Sequence, residues 1–170
     1  MILHFLRHAH AEALDSRIHK ADCDRLLTPD GRDLMQRAAK GFLKVGVHFE
    51  MILSSPYPRA VETAKMIAEA FHFEKEIRLS ENLIPEALYH KFRKEILDLK
   101  PSCNSILIVT HQPFVSESIS FLLTGKDVPI AVDMGTGTLC TLEIDSALKG
   151  PAILSSMLKA EQAAFMSGDC

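Results

Sequence analysis

The feature that most constrains the fold of this 170-residue chain is the run Ile106-Leu107-Ile108-Val109. Four consecutive apolar residues, three of them β-branched, offer no polar face to water. Such a strand must be covered on both sides, as at the centre of a parallel sheet with helices on both faces. Elsewhere, short apolar runs alternate with segments of helical period, which predicts βαβ units. Strands are expected at 2–6, 51–53, 77–79 and 105–110, with later strands at 139–144 and 153–158 for which antiparallel pairing is open. One helix begins at Thr28-Pro29-Asp30, where a cap, a proline and an acid fall in the order a helix start requires. Its apolar stripe is Leu34, Ala38 and Phe42 with Met35, Ala39 and Leu43. Further helices follow Arg59, Leu88 and Pro113. The expected fold class is α/β: a single-domain three-layer α/β/α sandwich with a mostly parallel central sheet.

Residues 1–158 are read as one domain, and 159–170, small and polar, as a frayed C-terminal tail. A net charge of -3 gives no footprint for nucleic acid, so any anion site must be built locally. Cys23, Cys103, Cys140 and Cys170 are scattered, which fits free thiols in a reducing compartment rather than a zinc ribbon or redox pair. The apolar start is broken by Arg7-His8, too early for a signal-peptide core or a membrane span, so a cytoplasmic location is expected, with no membrane partner.

Three expected strands end alike, in an apolar run followed by cationic or imidazole side chains. Leu6 precedes Arg7-His8, Leu53 precedes a breaker, Ser54 to Pro58, that leads to Arg59, and Val109 precedes Thr110-His111. In a parallel sheet the carboxyl ends of strands share one edge, where ligands bind. Two Arg and two His would converge there, and a dense anion such as phosphate matches the arginine forks. A neutral imidazole is a competent nucleophile, and a second imidazole, kept protonated, could clamp the anion. The helices that begin near Arg59 and Pro113 would add their positive ends.

At these residues the chain resembles the histidine phosphatase (phosphoglycerate mutase-like) superfamily, and in particular its small SixA-type phosphohistidine phosphatases. Leu6-Arg7-His8-Ala9 resembles the RHG signature, and Leu53 through Ala64 the second arginine motif. Val109-Thr110-His111-Gln112-Pro113 is similar to the second histidine motif. Arg25-Leu26-Leu27-Thr28-Pro29-Asp30-Gly31 and Met134-Gly135-Thr136-Gly137-Thr138 fall where that branch has R-P-L-T-x-x-G and a TG-containing segment. The resemblance runs from residue 2 to about 145. It implies His8 as the phosphorylated nucleophile, Arg7, Arg59 and His111 as the phosphate pocket, Arg25 at its rim, and no cofactor or metal. The implied substrate is phosphohistidine on a protein, or alternatively a small phosphoester.

Two departures stand out: Ala9 for the usual Gly, and Leu26 for the usual Pro. Glu86, in the loop after the third expected strand, is the candidate general acid. A phosphoimidazole can leave as neutral imidazole, so such a phosphatase can do without one. Two readings of other classes remain. One is a non-catalytic module that binds a phosphorylated ligand. The other is a metal-dependent hydrolase using His8-x-His10, which leaves both arginines unexplained. His4 shares a face with that pair, whereas His19, His48, His72 and His90 are expected at the surface. Thr136 and Thr138 are read as turn residues.

Overall fold

The computed structural model describes residues 1–15, 21–99, 102–125, 130–145 and 150–168. Six strands form one sheet: β1 (Ile2–Arg7), β2 (Met51–Ser54), β3 (Arg78–Leu79), β4 (Ser105–Thr110), β5 (Leu139–Glu143) and β6 (Ile153–Leu158). Their order is β3-β2-β4-β1-β5-β6. The first four run parallel, while β5 lies antiparallel to β1 and β6 antiparallel to β5. The central position of β4 follows from its composition, since all six of its residues are buried. Leu107 and Val109 enter the core on one face, and Ile106 and Ile108 the core on the other.

Helices α1 (Pro29–Lys44), α2 (Pro58–Ala70) and α5 (Ala160–Ser167) supply the first core, and α3 (Tyr89–Leu99) and α4 (Phe114–Thr124) the second. The α/β/α sandwich therefore stands. The Thr28 hydroxyl caps α1 by accepting from the Gly31 N–H at 3.0 Å, so the predicted start holds. Its stripe is narrower than expected. Met35, Ala38, Ala39 and Phe42 are buried, but Leu43 is 46% exposed because it lies about 100° around the helix from Phe42.

The expectation of a frayed tail from residue 159 is corrected. Residues 160–167 form α5, whose Ala160, Ala163, Ala164 and Ser167 are buried. The small side chains that suggested fraying are what lets α5 lie close on α1. A Cβ on Gly41 would come within 1.9 Å of the Ala163 carbonyl oxygen, so only glycine permits the approach. The Lys44 ammonium donates to the Ser167 carbonyl at the end of α5. Cys170 and His19 lie outside the described residues.

The register aligns the ends of three strands: Arg7 pairs with Thr110, and Ser54 with Val109. Arg7-His8, Ser54-Ser55 and Thr110-His111 therefore emerge together at the carboxyl edge, where α2 and α4 also begin.

Candidate active site

His8 follows β1, and its backbone is held on both sides. Its N–H donates to the Thr110 carbonyl at 3.0 Å, and its carbonyl accepts from Gly137 N–H at 3.1 Å. The next residue, Ala9, donates its N–H to the Thr63 hydroxyl at 3.0 Å, and Thr63 donates to the Arg59 carbonyl at 2.7 Å. Thr63 thus ties the His8 loop to the first turn of α2, which carries Arg59. Ala9 is 3% exposed, so the methyl that replaces the usual glycine hydrogen is packed here.

The imidazole of His8 is oriented by two contacts. Nδ1 lies 2.7 Å from the Ala9 carbonyl oxygen, which can only accept, so Nδ1 carries the proton. Nε2 then holds a lone pair, which accepts from Arg59 Nε at 3.2 Å. Burial, and the cations Arg59, Arg7 and Arg25 after it, push the His8 pKa down to about 3, against a smaller opposing effect of the Ala9 hydrogen bond. At neutral pH His8 is uncharged, with its lone pair on Nε2.

Arg59 is 2% exposed and stacks over the Tyr57 ring, with Cζ 5.1 Å from the ring centroid. His111, at the end of β4, is 1% exposed, with Nε2 2.8 Å from the Ser55 hydroxyl and its ring 4.9 Å from that of His8. Arg7 donates from Nη1 to the Met134 carbonyl at 2.9 Å. Arg7 Nε and His111 Nδ1 are buried without a hydrogen-bond partner, the condition expected of groups that await a ligand.

These residues line a pocket of about 270 Å³ together with Arg25, Asp22 and Thr136. A larger cleft of about 430 Å³, walled by Val47, Leu158 and Met166, lies away from this edge and is mostly apolar. The chemistry selects the smaller one, where three guanidinium groups converge. The protonated second imidazole expected from the sequence is corrected. Burial first, then His8 and the three arginines, push the His111 pKa to about 2, so His111 is a neutral group here.

Arg25 reaches the pocket as expected, with Nε on the Glu12 carbonyl at 2.6 Å and Nη1 on Asp22 at 2.7 Å. Leu26, in place of proline, is 46% exposed and so breaks no packing. Gly31 of the same motif is required by a close approach, since a Cβ there would sit 2.2 Å from the His10 carbonyl oxygen. Glu86 is exposed, and its neighbour Pro85, rather than Glu86 itself, lines the pocket. The two imidazoles of His8-x-His10 turn to different partners, His8 Nδ1 to the Ala9 carbonyl. His10 Nδ1 lies 3.1 Å from the Thr28 hydroxyl, and His4 is bonded to Thr141 and the His48 carbonyl. Among the described residues no group of three or more His, Cys, Asp or Glu could hold an ion. His48, His72 and His90 are exposed, as expected.

The profile of the histidine phosphatase superfamily (branch 1) matches residues 3–87. An uncharacterized protein of Picosynechococcus sp. is 33% identical over 130 residues, covering 74% of this chain and 76% of that one. The chain belongs to the histidine phosphatase superfamily. Solved structures agree on the fold of this superfamily member. It superposes with a TM-score of 0.81 on the protein histidine phosphatase SixA complexed with tungstate, at 22% identity over 94% of this chain and 97% of that one. An Entamoeba histolytica phosphoserine phosphatase in complex with 3-phosphoglyceric acid gives 0.64, at 20% identity over 94% and 98%.

Sequence reasoning missed Asp22, Ser55 and Thr63 as parts of this site. Ser55 and Thr63 lie inside the segment read as the second arginine motif. Asp22 lies in a stretch with no period, and its one signal was proximity to Arg25 in Asp22-Cys23-Asp24-Arg25. Thr136, read as a turn residue, also lines the pocket.

Proposed function

We propose that this histidine phosphatase moves a phosphoryl group from its substrate to Nε2 of His8 and then to water, with protein phosphohistidine as substrate and the cytoplasm as setting. The observation that carries this reading is the fixed tautomer of His8, whose proton is held on Nδ1 by the Ala9 carbonyl while the Nε2 lone pair lies among cations. Arg7, Arg59 and Arg25 bind the phosphoryl oxygens, and His111 adds a neutral donor. In the tautomer where the Ser55 hydroxyl donates to Nε2, the His111 proton sits on the unpartnered Nδ1.

The Nε2–P bond forms as the bond to the leaving group breaks, and the positive charge gained by the His8 ring is offset by the Ala9 carbonyl. Water then attacks phosphorus, the Nε2–P bond breaks, and inorganic phosphate departs with the water's oxygen. Positioning and charge from this chain's own cations and donors supply most of the catalysis, as in other phosphoryl transfers.

The experiment is a rapid quench with a radiolabelled phosphoryl donor. The expected product is label on His8 that is acid-labile and base-stable. A chain that turns over substrate without such label does not use this route, and one that binds phosphate without turnover is a binding module.

Two observations favour phosphohistidine. The leaving imidazole can depart neutral and needs no enzyme acid. Asp22, the acid in the lining, is held ionised by Arg25 and Arg59, and Glu86 is exposed outside the pocket lining. Glu86→Gln is therefore expected to leave kcat/KM on a phosphohistidine protein within about twofold. An alkyl phosphate, whose leaving oxygen needs a proton, would lose roughly 10²-fold or more if Glu86 supplied it. Equal ratios for the two substrates leave Glu86 a rim residue with no proton role.

A further inference from the structure

Asp22 holds two of the pocket's three arginines in a way that the reaction above does not use. It lies in a single 3-10 turn over Asp22–Asp24, with its side chain 46% exposed. Its Oδ2 accepts from Arg59 Nη2 at 2.7 Å, and its backbone carbonyl accepts from Arg59 Nη1 at 2.6 Å. Its Oδ1 accepts from Arg25 Nη1 at 2.7 Å.

Arg59 has two planar edges that could take an anion by two parallel bonds. The end-on edge is closed by Asp22, and the side edge has its Nε on His8. A phosphoryl group can use the fork of Arg59 only after Asp22 lets go. The two carboxylate oxygens serve different arginines, so releasing Oδ2 leaves Oδ1 on Arg25. The displaced carboxylate then stays at the rim, next to the bound phosphoryl group. Burial raises the Asp22 pKa, but the hydrogen bonds and charges of Arg25 and Arg59 more than reverse this, so Asp22 is ionised at neutral pH.

We infer that Asp22 is a specificity-determining residue: a counter-ion which the phosphoryl group displaces from Arg59 and which then disfavours substrates carrying a second negative group beside the phosphate. A phosphohistidine, whose imidazole is neutral or cationic, meets no repulsion there. A phosphoserine or phosphoglycerate, with a carboxylate a few atoms from phosphorus, does. The inference rests on the phosphatase reading given above.

The test uses Asp22→Asn, which keeps the shape and removes the charge, with Asp33→Asn as a control. Asp33 pairs with Arg37 on the surface of α1, away from the pocket. Inorganic phosphate is titrated calorimetrically into wild type and both variants, and kcat/KM is measured for free phosphoserine and for a phosphohistidine peptide. Asp22→Asn is expected to bind phosphate about tenfold more tightly, the scale of one charge-assisted contact no longer competed for. It should also raise kcat/KM on phosphoserine several-fold more than on the phosphohistidine peptide. Asp33→Asn should change neither.

Unchanged or weaker phosphate binding by Asp22→Asn overturns the inference and makes Asp22 a residue that positions Arg59. Equal gains on the two substrates overturn it as well. Failure of the phosphatase reading is seen separately, as wild-type protein that turns over neither substrate while its phosphate titration is still readable.

Discussion

His8→Ala is expected to abolish turnover, with kcat falling about 10⁴- to 10⁶-fold, the range seen when a covalent nucleophile is removed. The remaining groups can bind and polarise a phosphoryl group. None of them is an uncharged, unprotonated nucleophile in the same place, because His111 has its Nε2 on Ser55 and the arginines cannot deprotonate. The fold should survive. His8 lies after β1, its backbone hydrogen bonds do not involve the side chain, and loss of the imidazole opens space into an existing pocket. Melting temperature and circular dichroism of the variant should stay close to wild type, and the radiolabel on the protein should disappear. A folded His8→Ala protein with near wild-type kcat would put the phosphoryl group elsewhere.

What the sequence made legible depended on how local the cause was. β4 could be read because four apolar residues in a row have only one way to be covered, and its register then carried Arg7 and His111 to one edge. The start of α1 could be read because Thr28, Pro29 and Asp30 act within one turn. α5 could not, because the reason for its order is Gly41, more than a hundred residues earlier, which admits the Ala163 backbone. The protonation of His111 was misjudged for a similar reason. Its typical pKa of about 6.5 leaves both charge states open near neutral pH, whereas the burial beside three guanidinium groups that disfavours the cation is a property of the assembled site. Asp22 was missed because only its partner Arg25, three residues on, is local, whereas Arg59 arrives from α2.

Arg59→Ala is expected to be the second most damaging substitution, lowering kcat/KM by roughly 10³-fold or more, the scale on which a single well-placed arginine acts in phosphoryl transfer. Arg59 acts in three ways at once. Its Nε donates to the His8 Nε2 lone pair, must yield that position to phosphorus as the Nε2–P bond forms, and can then donate to a phosphoryl oxygen. Its charge lies beside the three oxygens over which negative charge spreads in the transition state, and this lowers the barrier more than it tightens ground-state binding. It also stacks on Tyr57, which packs against His111 with ring centroids 5.0 Å apart, so its loss loosens the second imidazole. Arg59→Lys separates these roles. Lysine restores one positive charge but has neither the Nε that meets His8 nor the planar fork. The expected order is therefore wild type far above Lys, and Lys about tenfold above Ala, with most of the Ala loss in kcat rather than KM. Steady-state kinetics on one phosphohistidine peptide decide it. If Lys equals wild type, charge alone matters and the fork does not. If Ala equals wild type, Arg59 is a structural residue of α2 and the phosphate pocket is held by Arg7 and Arg25.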